Sequence, residues 1–346
     1  MAQTFSLPTL KIDTSQVSIS GLSSGGFMAV QFGVAYSASI KGAGVIAAGP
    51  YDCAQDDPYT ATSVCSCTGL LGCEGSADTH VPQLIGITDQ NAQGGLIDPT
   101  SNLKNQRIWM FSGTSDSIVP TRVMNDLFTY YTHYIPAANI TYNHDLPAQH
   151  AMPTDSFGNP CQFQGDPYIN NCNFGGAGQL LQWLYGPLNA KNHGSLSGKF
   201  VQFDQSEFIS DPLSHDLDTT GWVYIPSACA NGQTCKLHVV FHGCKQYQNY
   251  LYFSPTQGLV TFGTTYVRHA GYNEWADTNG IVVLYPQTIA GVARNPNGCW
   301  DWWGYDDEDY ATKRGPQMAA VKAMIDRVSG GAPRQSTGSS GIGTND

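Results

Sequence analysis

The chain has 346 residues, 41% of them hydrophobic, which is enough to bury a sizeable core. Only 12% are charged, against ~25% in an average soluble domain, and the net charge is −11. That balance excludes a basic nucleic-acid or anionic-membrane surface, and no apolar run approaches the ~18 residues of a membrane span.

In chain order, the first strong signal is a short apolar strand over Gln16–Ile19, followed by a helix over Gly26–Ala35 and a strand over Gly42–Ala47. Residues 52–100 break the alternation. They hold four cysteines and many Gly, Asp and Thr, and predict a disulfide-pinned excursion over one sheet edge. The alternation resumes with a strand over Arg107–Phe111, a helix over Arg122–Tyr134, a strand over Asn139–Asn143 and a helix over Gln179–Tyr185. Strands over Lys236–Phe241 and Ile281–Tyr285 and a helix over Pro316–Val328 complete it. Strands alternating with helices predict an α/β layered sheet, one domain over residues 1–330. Residues 331–346 read as a flexible Gly/Ser tail.

The ten cysteines speak to compartment. Neither paired Cys-x-x-Cys motifs nor Cys with paired His occur, so zinc is not expected. Cys161 and Cys172 flank a short Gly/Asn-rich loop, as do Cys229 and Cys235, and each spacing suits a bridge across a surface loop. The expectation is a secreted, oxidised protein. Met1-Ala2-Gln3 opens with no basic n-region and no apolar h-region, as in a mature chain whose signal peptide has been removed. Asn139-Ile140-Thr141 is a glycosylation sequon and adds weak support. The pairing among Cys53, Cys65, Cys67 and Cys73 stays open.

Gly21-Leu22-Ser23-Ser24-Gly25 is a Gly-x-Ser-x-Gly between a strand and a helix, the context a nucleophile elbow needs. Such a turn strains Ser23, and the helix N-terminus with the Ser24 N–H faces a developing oxyanion. The alternative is an ordinary Gly/Ser turn. A serine nucleophile needs a base and an orienting carboxylate. Asp116 lies just beyond the strand Arg107–Phe111, where α/β sheets place site residues, although an Asp there could also cap the next helix. In the order Ser, Asp, His, the base is one of His133, His144 and His150. His133 sits in a helical pattern and His144 at a strand end. His150 sits in a loop and is preferred.

Phe241-His242-Gly243-Cys244 closes the strand from Lys236. In α/β-hydrolases a His-Gly loop supplies the second oxyanion donor, but upstream of the nucleophile. Here it lies far downstream. Either it is an ordinary strand end, or the chain is circularly permuted, cut just before the nucleophile strand. Splicing the Pro316–Val328 helix ahead of Leu10–Ile19 restores a helix–loop–strand–elbow unit, which favours permutation.

These motifs, with Cys299-Trp300-Asp301-Trp302-Trp303 and His150 ahead of Pro153-Thr154-Asp155, resemble the secreted fungal-type poly(3-hydroxybutyrate) depolymerases, circularly permuted α/β-hydrolases, over nearly the whole chain. The resemblance implies Ser23 as nucleophile, Asp116 as orienting carboxylate and His150 as base. It implies an oxyanion hole from the N–H groups of Ser24 and Cys244. It implies one substrate-binding tryptophan, Trp302, with Trp300 and Trp303 as alternatives, and a Cys244–Cys299 bridge. The implied activity is hydrolysis of poly(3-hydroxybutyrate) esters through an acyl-enzyme, a mechanism that needs no metal or organic cofactor; a monomer is the default expectation. The acidic run Asp306-Asp307-Glu308-Asp309 lacks EF-hand spacing and reads as a solvated loop. The implied substrate is an insoluble polyester; the resemblance implies a narrow crevice for it, and exposed aromatics and aliphatics around the cleft are expected to serve adsorption. The close rival is a feruloyl or acetyl-xylan type carboxylesterase. The more distant one is a surface-binding protein with a dead hydrolase fold.

Overall fold

The computed structural model of the protein describes residues 5–69, 72–73, 78–254, 258–292 and 294–331. The tail expected over 331–346 lies, from residue 332 on, outside the described residues.

The apolar runs form the strands of one eight-stranded sheet. Its strands are β1 (Ile12–Leu22), β2 (Gly42–Ile46), β3 (Arg107–Phe111), β4 (Ile140–Asn143), β5 (Lys199–Asp204), β6 (Thr220–Ile225), β7 (Cys235–Phe241) and β8 (Ile281–Tyr285). Their order across the sheet is β4-β3-β2-β1-β7-β8-β6-β5. The first six in that order run parallel; β6 and β5 are antiparallel additions at one side. β2 and β8 are buried at every residue, as parallel strands covered on both faces must be. Each fully buried aliphatic side chain there stabilises the fold by roughly 1.5–3 kcal/mol.

Five main helices flank the sheet: α1 (Ser24–Ala35), α2 (Val81–Gln93), α3 (Thr121–Tyr134), α4 (Gly176–Tyr185) and α5 (Pro316–Val328). All twelve residues of α1 are buried, so it is covered on every side and shows no polar face to solvent. Gly33 of α1 lies against Ile19 and Ala43, while Gly44, the next residue of β2, faces Leu180 of α4. Successive residues of a strand point to opposite faces, so α1 and α4 cover opposite sides of the sheet.

The chain enters the sheet at its centre. The Leu10 N–H donates to the Val328 carbonyl at 2.8 Å, and the Thr9 hydroxyl to the Arg327 carbonyl at 3.0 Å. The last helix therefore ends beside the start of β1. That adjacency is the geometric condition for a circularly permuted chain.

Two departures from expectation stand out. The excursion over residues 52–100 contains α2, which buries Val81, Leu84 and Thr88 and packs Ile85 and Ile87 against the core. The antiparallel pair β5–β6 extends the sheet beyond the six strands of the sequence pattern. All ten cysteines are bridged: Cys53–Cys65, Cys67–Cys73, Cys161–Cys172, Cys229–Cys235 and Cys244–Cys299.

Candidate active site

Ser23 sits between β1 and α1 at φ 58°, ψ −124°, a strained region for a residue with a Cβ. The turn is possible because its neighbours are glycines. A Cβ on Gly21 would lie 2.0 Å from the Gly25 carbonyl oxygen, and one on Gly25 would lie 2.3 Å from the Phe241 oxygen. Ser23 is the N-cap of α1, yet its hydroxyl makes no capping hydrogen bond. Serine is among the best N-caps, so here the hydroxyl is left for other work. The Ser23 N–H is held by the Ile46 carbonyl at 2.9 Å.

The loops after β3 and β4 are laced together. Thr114 N–H donates to Leu146 O at 2.9 Å, and Ser115 N–H to Ala148 O at 3.2 Å. This zipper places Asp116 Oδ2 2.9 Å from His150 Nδ1, with both residues buried. Asp116 Oδ1 accepts the N–H groups of Ile118 and Val119, each at 2.9 Å. Asp116 thus closes its own turn and does not cap α3, whose N-cap is Pro120. His150 is pinned on both sides: Gln149 N–H donates to Cys161 O at 3.0 Å, and Met152 N–H to Tyr168 O at 2.9 Å. The Cys161–Cys172 bridge stiffens that support. With Nδ1 engaged by Asp116, Nε2 is the ring nitrogen left to exchange a proton. His133 and His144 are exposed; His133 packs edge-on against Tyr134 and His144 lies against Tyr142.

The Phe241-His242-Gly243-Cys244 segment lies directly beside the elbow, because β7 is the parallel neighbour of β1. A Cβ on Gly243 would lie 3.5 Å from the Ser23 Cβ. His242 Nδ1–H donates to the Gly243 carbonyl at 2.8 Å, and Nε2 accepts the Thr288 N–H at 3.2 Å. Burial pushes the His242 pKa down to about 4, so the ring is neutral and keeps that tautomer. Holding the Gly243 oxygen on one side turns the Cys244 N–H, on the same peptide plane, to the other. Among the described residues neither the Ser24 N–H nor the Cys244 N–H has a hydrogen-bond partner.

Ser23, His150 and Cys244 line one cleft of about 620 Å³. One wall is the excursion, through Pro58, Ala61 and Thr68, closed by the Cys53–Cys65 and Cys67–Cys73 bridges. The other is the loop of Asn295, Cys299, Trp302 and Trp303, tied to the elbow side by Cys244–Cys299. Trp302 stacks on Phe27 with centroids 3.9 Å apart and meets Trp303 edge-on at 5.4 Å. Trp300 corrects the expectation that it could serve as a substrate contact. It is fully buried, outside the cleft lining, packed on Phe241 and His242 beneath the oxyanion loop.

Asp301 is a residue that motif reading passes over. Its carboxylate accepts five backbone N–H groups, from Trp303, Gly304 and Tyr305 on Oδ1 and Asp306 and Asp307 on Oδ2, at 2.8–3.3 Å. Burial pushes its pKa up to about 7 against these donors. An acid set between tryptophans in Cys299-Trp300-Asp301-Trp302-Trp303 is the signal that could have found it. Asp306 of the acidic run pairs with His215 Nδ1 at 3.0 Å. No group of three or more metal-ligating side chains occurs among the described residues.

The sheet, the elbow and the loop beyond β7 are those of a serine hydrolase with the α/β-hydrolase fold. No family model matches the chain, but individual relatives do. It is 51% identical over 329 residues to the poly(3-hydroxybutyrate) depolymerase of Delftia acidovorans, covering 94% of this chain and 62% of that protein. It is 39% identical over 340 residues to the polyhydroxybutyrate depolymerase of Talaromyces funiculosus, covering 94% and 93%. The solved PHB depolymerase from Penicillium funiculosum superposes with a TM-score of 0.82 at 37% identity, covering 94% and 99%. A PHB depolymerase complexed with R3HB trimer gives 0.83 at 37% identity with the same coverage. The chain belongs to the poly(3-hydroxybutyrate) depolymerase family. It spans 62% of the length of the Delftia relative.

Proposed function

We propose that this protein is an extracellular serine hydrolase that cleaves the ester bonds of poly(3-hydroxybutyrate) to short 3-hydroxybutyrate products. The observation that carries this assignment is the buried Asp116–His150 pair at 2.9 Å opening onto the same cleft as Ser23 and Cys244, with the Ser24 and Cys244 N–H groups unpartnered among the described residues. Ser23 attacks the ester carbonyl and passes its proton to His150 Nε2. Asp116 holds the imidazole in the tautomer that can accept it and stabilises the imidazolium. The Ser24 and Cys244 N–H groups take the oxyanion, each such donor being worth about 10²–10³ in rate. The C–O bond then breaks, and His150 returns the proton to the departing 3-hydroxyl. Water repeats the sequence in reverse and frees the acid. Trp302 and Trp303 border the bound ester chain. The relative solved with R3HB trimer supports a hydroxybutyrate chain as the occupant. Five disulfides support an oxidising extracellular setting.

An insoluble substrate requires adsorption. A hairpin, Leu251–Ser254 with Gly258–Thr261, follows the Cys244 loop and exposes Leu251, Phe253 and Leu259. We assign it to contact with the polymer surface. The test is turbidity loss of a poly(3-hydroxybutyrate) suspension by the native chain and by Ser23→Ala, beside ferulate and acetate release from plant-wall esters. Clearing by the native chain alone is expected. Ferulate or acetate release without clearing would move the assignment to a plant-wall esterase.

A further inference from the structure

Gln246 lies two residues beyond Cys244, and only 1% of it is exposed. Every polar atom of its side chain is spent on backbone. Oε1 accepts the Gly243 N–H at 2.7 Å. Nε2 donates to the Pro167 carbonyl at 3.0 Å and to the Tyr168 carbonyl at 3.1 Å. A buried amide so satisfied is rigid, and each lost partner leaves a backbone group unpaired.

The two ends of this side chain reach two different parts of the site. Gly243 is gripped at both of its peptide groups: its N–H by Gln246 and its carbonyl by His242 Nδ1. Those two bonds leave the plane carrying the Cys244 N–H no freedom to turn. At the other end, the Tyr168 carbonyl also accepts the N–H of Met152, two residues after His150. One side chain therefore spans from the oxyanion loop to the support of the histidine loop, segments that no disulfide joins to each other.

We infer that Gln246 is a positioning residue, which sets the Cys244 N–H against the His150 loop so that the oxyanion donor and the base act on one ester group. This inference rests on the serine-esterase assignment made above. Gln246 touches no reacting atom; its effect runs through Gly243 and Tyr168. Misplacement of a donor by about an ångström costs up to about 10²-fold when the contact matters only in the transition state.

The experiment uses the full chain with a soluble butyrate ester, with active sites counted by a fluorophosphonate burst at Ser23. Gln246→Met removes both sets of bonds at similar volume. Gln246→Glu keeps the acceptor for Gly243 and turns the two donors into a carboxylate facing two carbonyls. Expected is a fall in kcat per titrated site of about 30- to 100-fold, with KM within about twofold. Binding of a boronic acid, whose tetrahedral adduct places an oxygen in the hole, weakens in parallel. A folded variant of either kind that keeps kcat per site within about threefold of native overturns the inference. So does a loss of activity that disappears once sites are counted, because that is a folding defect alone. If the native chain hydrolyses the ester without labelling at Ser23, the esterase assignment itself fails, and that outcome is distinct from either result at Gln246.

Discussion

The Asp116–His150 contact gives the sharpest single-residue prediction. In Asp116→Asn the side-chain oxygen stays where Oδ1 is, because Ile118 and Val119 both donate to it at 2.9 Å. The amide NH₂ then takes the Oδ2 place, 2.9 Å from His150 Nδ1. A donor facing Nδ1 drives the imidazole proton onto Nε2, the atom that must accept a proton from Ser23. The expected loss is about 10⁴ in kcat, or about 5.5 kcal/mol of transition-state stabilisation. Stability should fall by only about 1–2 kcal/mol, since the turn keeps both backbone bonds. The assay is kcat on a soluble butyrate ester, with the thermal midpoint measured in parallel. A folded Asp116→Asn protein keeping more than about a tenth of native kcat would refute the tautomer argument.

Three further outcomes follow from the same geometry. The Cys244–Cys299 bridge closes a separation of 55 residues, so a double Ala variant should lose about 4 kcal/mol in chemical denaturation by the chain-entropy relation; an unchanged midpoint would contradict it. Phe253→Ser with Leu259→Ser, at positions 73% and 71% exposed, should weaken adsorption to polymer particles in a depletion assay while leaving soluble-ester kcat alone; equal losses in both would contradict a surface role. His238, buried between the Ser18 and Ser20 hydroxyls, has its pKa pushed down to about 3 by burial. Its contribution to stability is full above its ordinary value of about 6.5 and is lost as pH falls toward 3, because the unfolded chain takes up a proton that the native state refuses. Asp301 and Asp52, raised by burial to about 7 and about 6, act with the opposite sign, but they are common to native and variant chains. Between pH 6 and 4 the change of unfolding free energy with pH in a His238→Asn variant should therefore be more negative than in the native chain by about 1.4 kcal/mol per pH unit, read from urea titrations; parallel slopes would contradict it.

Much of the fold was legible where a run of apolar residues meets a turn. The strands at Arg107–Phe111 and Ile281–Tyr285 and the helix at Pro316–Val328 fall where the pattern puts them. β1 begins at Ile12 rather than Gln16, because Asp13, Thr14 and Ser15 lie in an exposed, irregular stretch whose register shifts before Val17. β6 carries Trp222-Val223-Tyr224-Ile225, as β-prone as any run in the chain, but its pairing is antiparallel and its signal lies outside the strand–helix alternation. The partners of Cys53 and Cys67 were not legible, since four cysteines allow three connectivities and only the folded excursion selects one. In the site, the elbow glycines carried their own explanation. Trp300 did not: three tryptophans in four residues look alike in sequence, and only packing separates the one under the oxyanion loop from the two in the cleft. Gln246 bonds only backbone groups of distant loops and stands in no motif, whereas Asp301 is marked only by its place between tryptophans.

The most direct test of the account is to trap the covalent intermediate. Native protein mixed with a 3-hydroxybutyrate oligomer, quenched in acid within its steady state and mapped by peptide mass spectrometry, should carry a 3-hydroxybutyryl ester on Ser23. That adduct should be absent from Ser23→Ala and should accumulate if a His150 variant slows deacylation more than acylation. Rapid oligomer cleavage with the adduct on another residue would contradict Ser23 as the nucleophile.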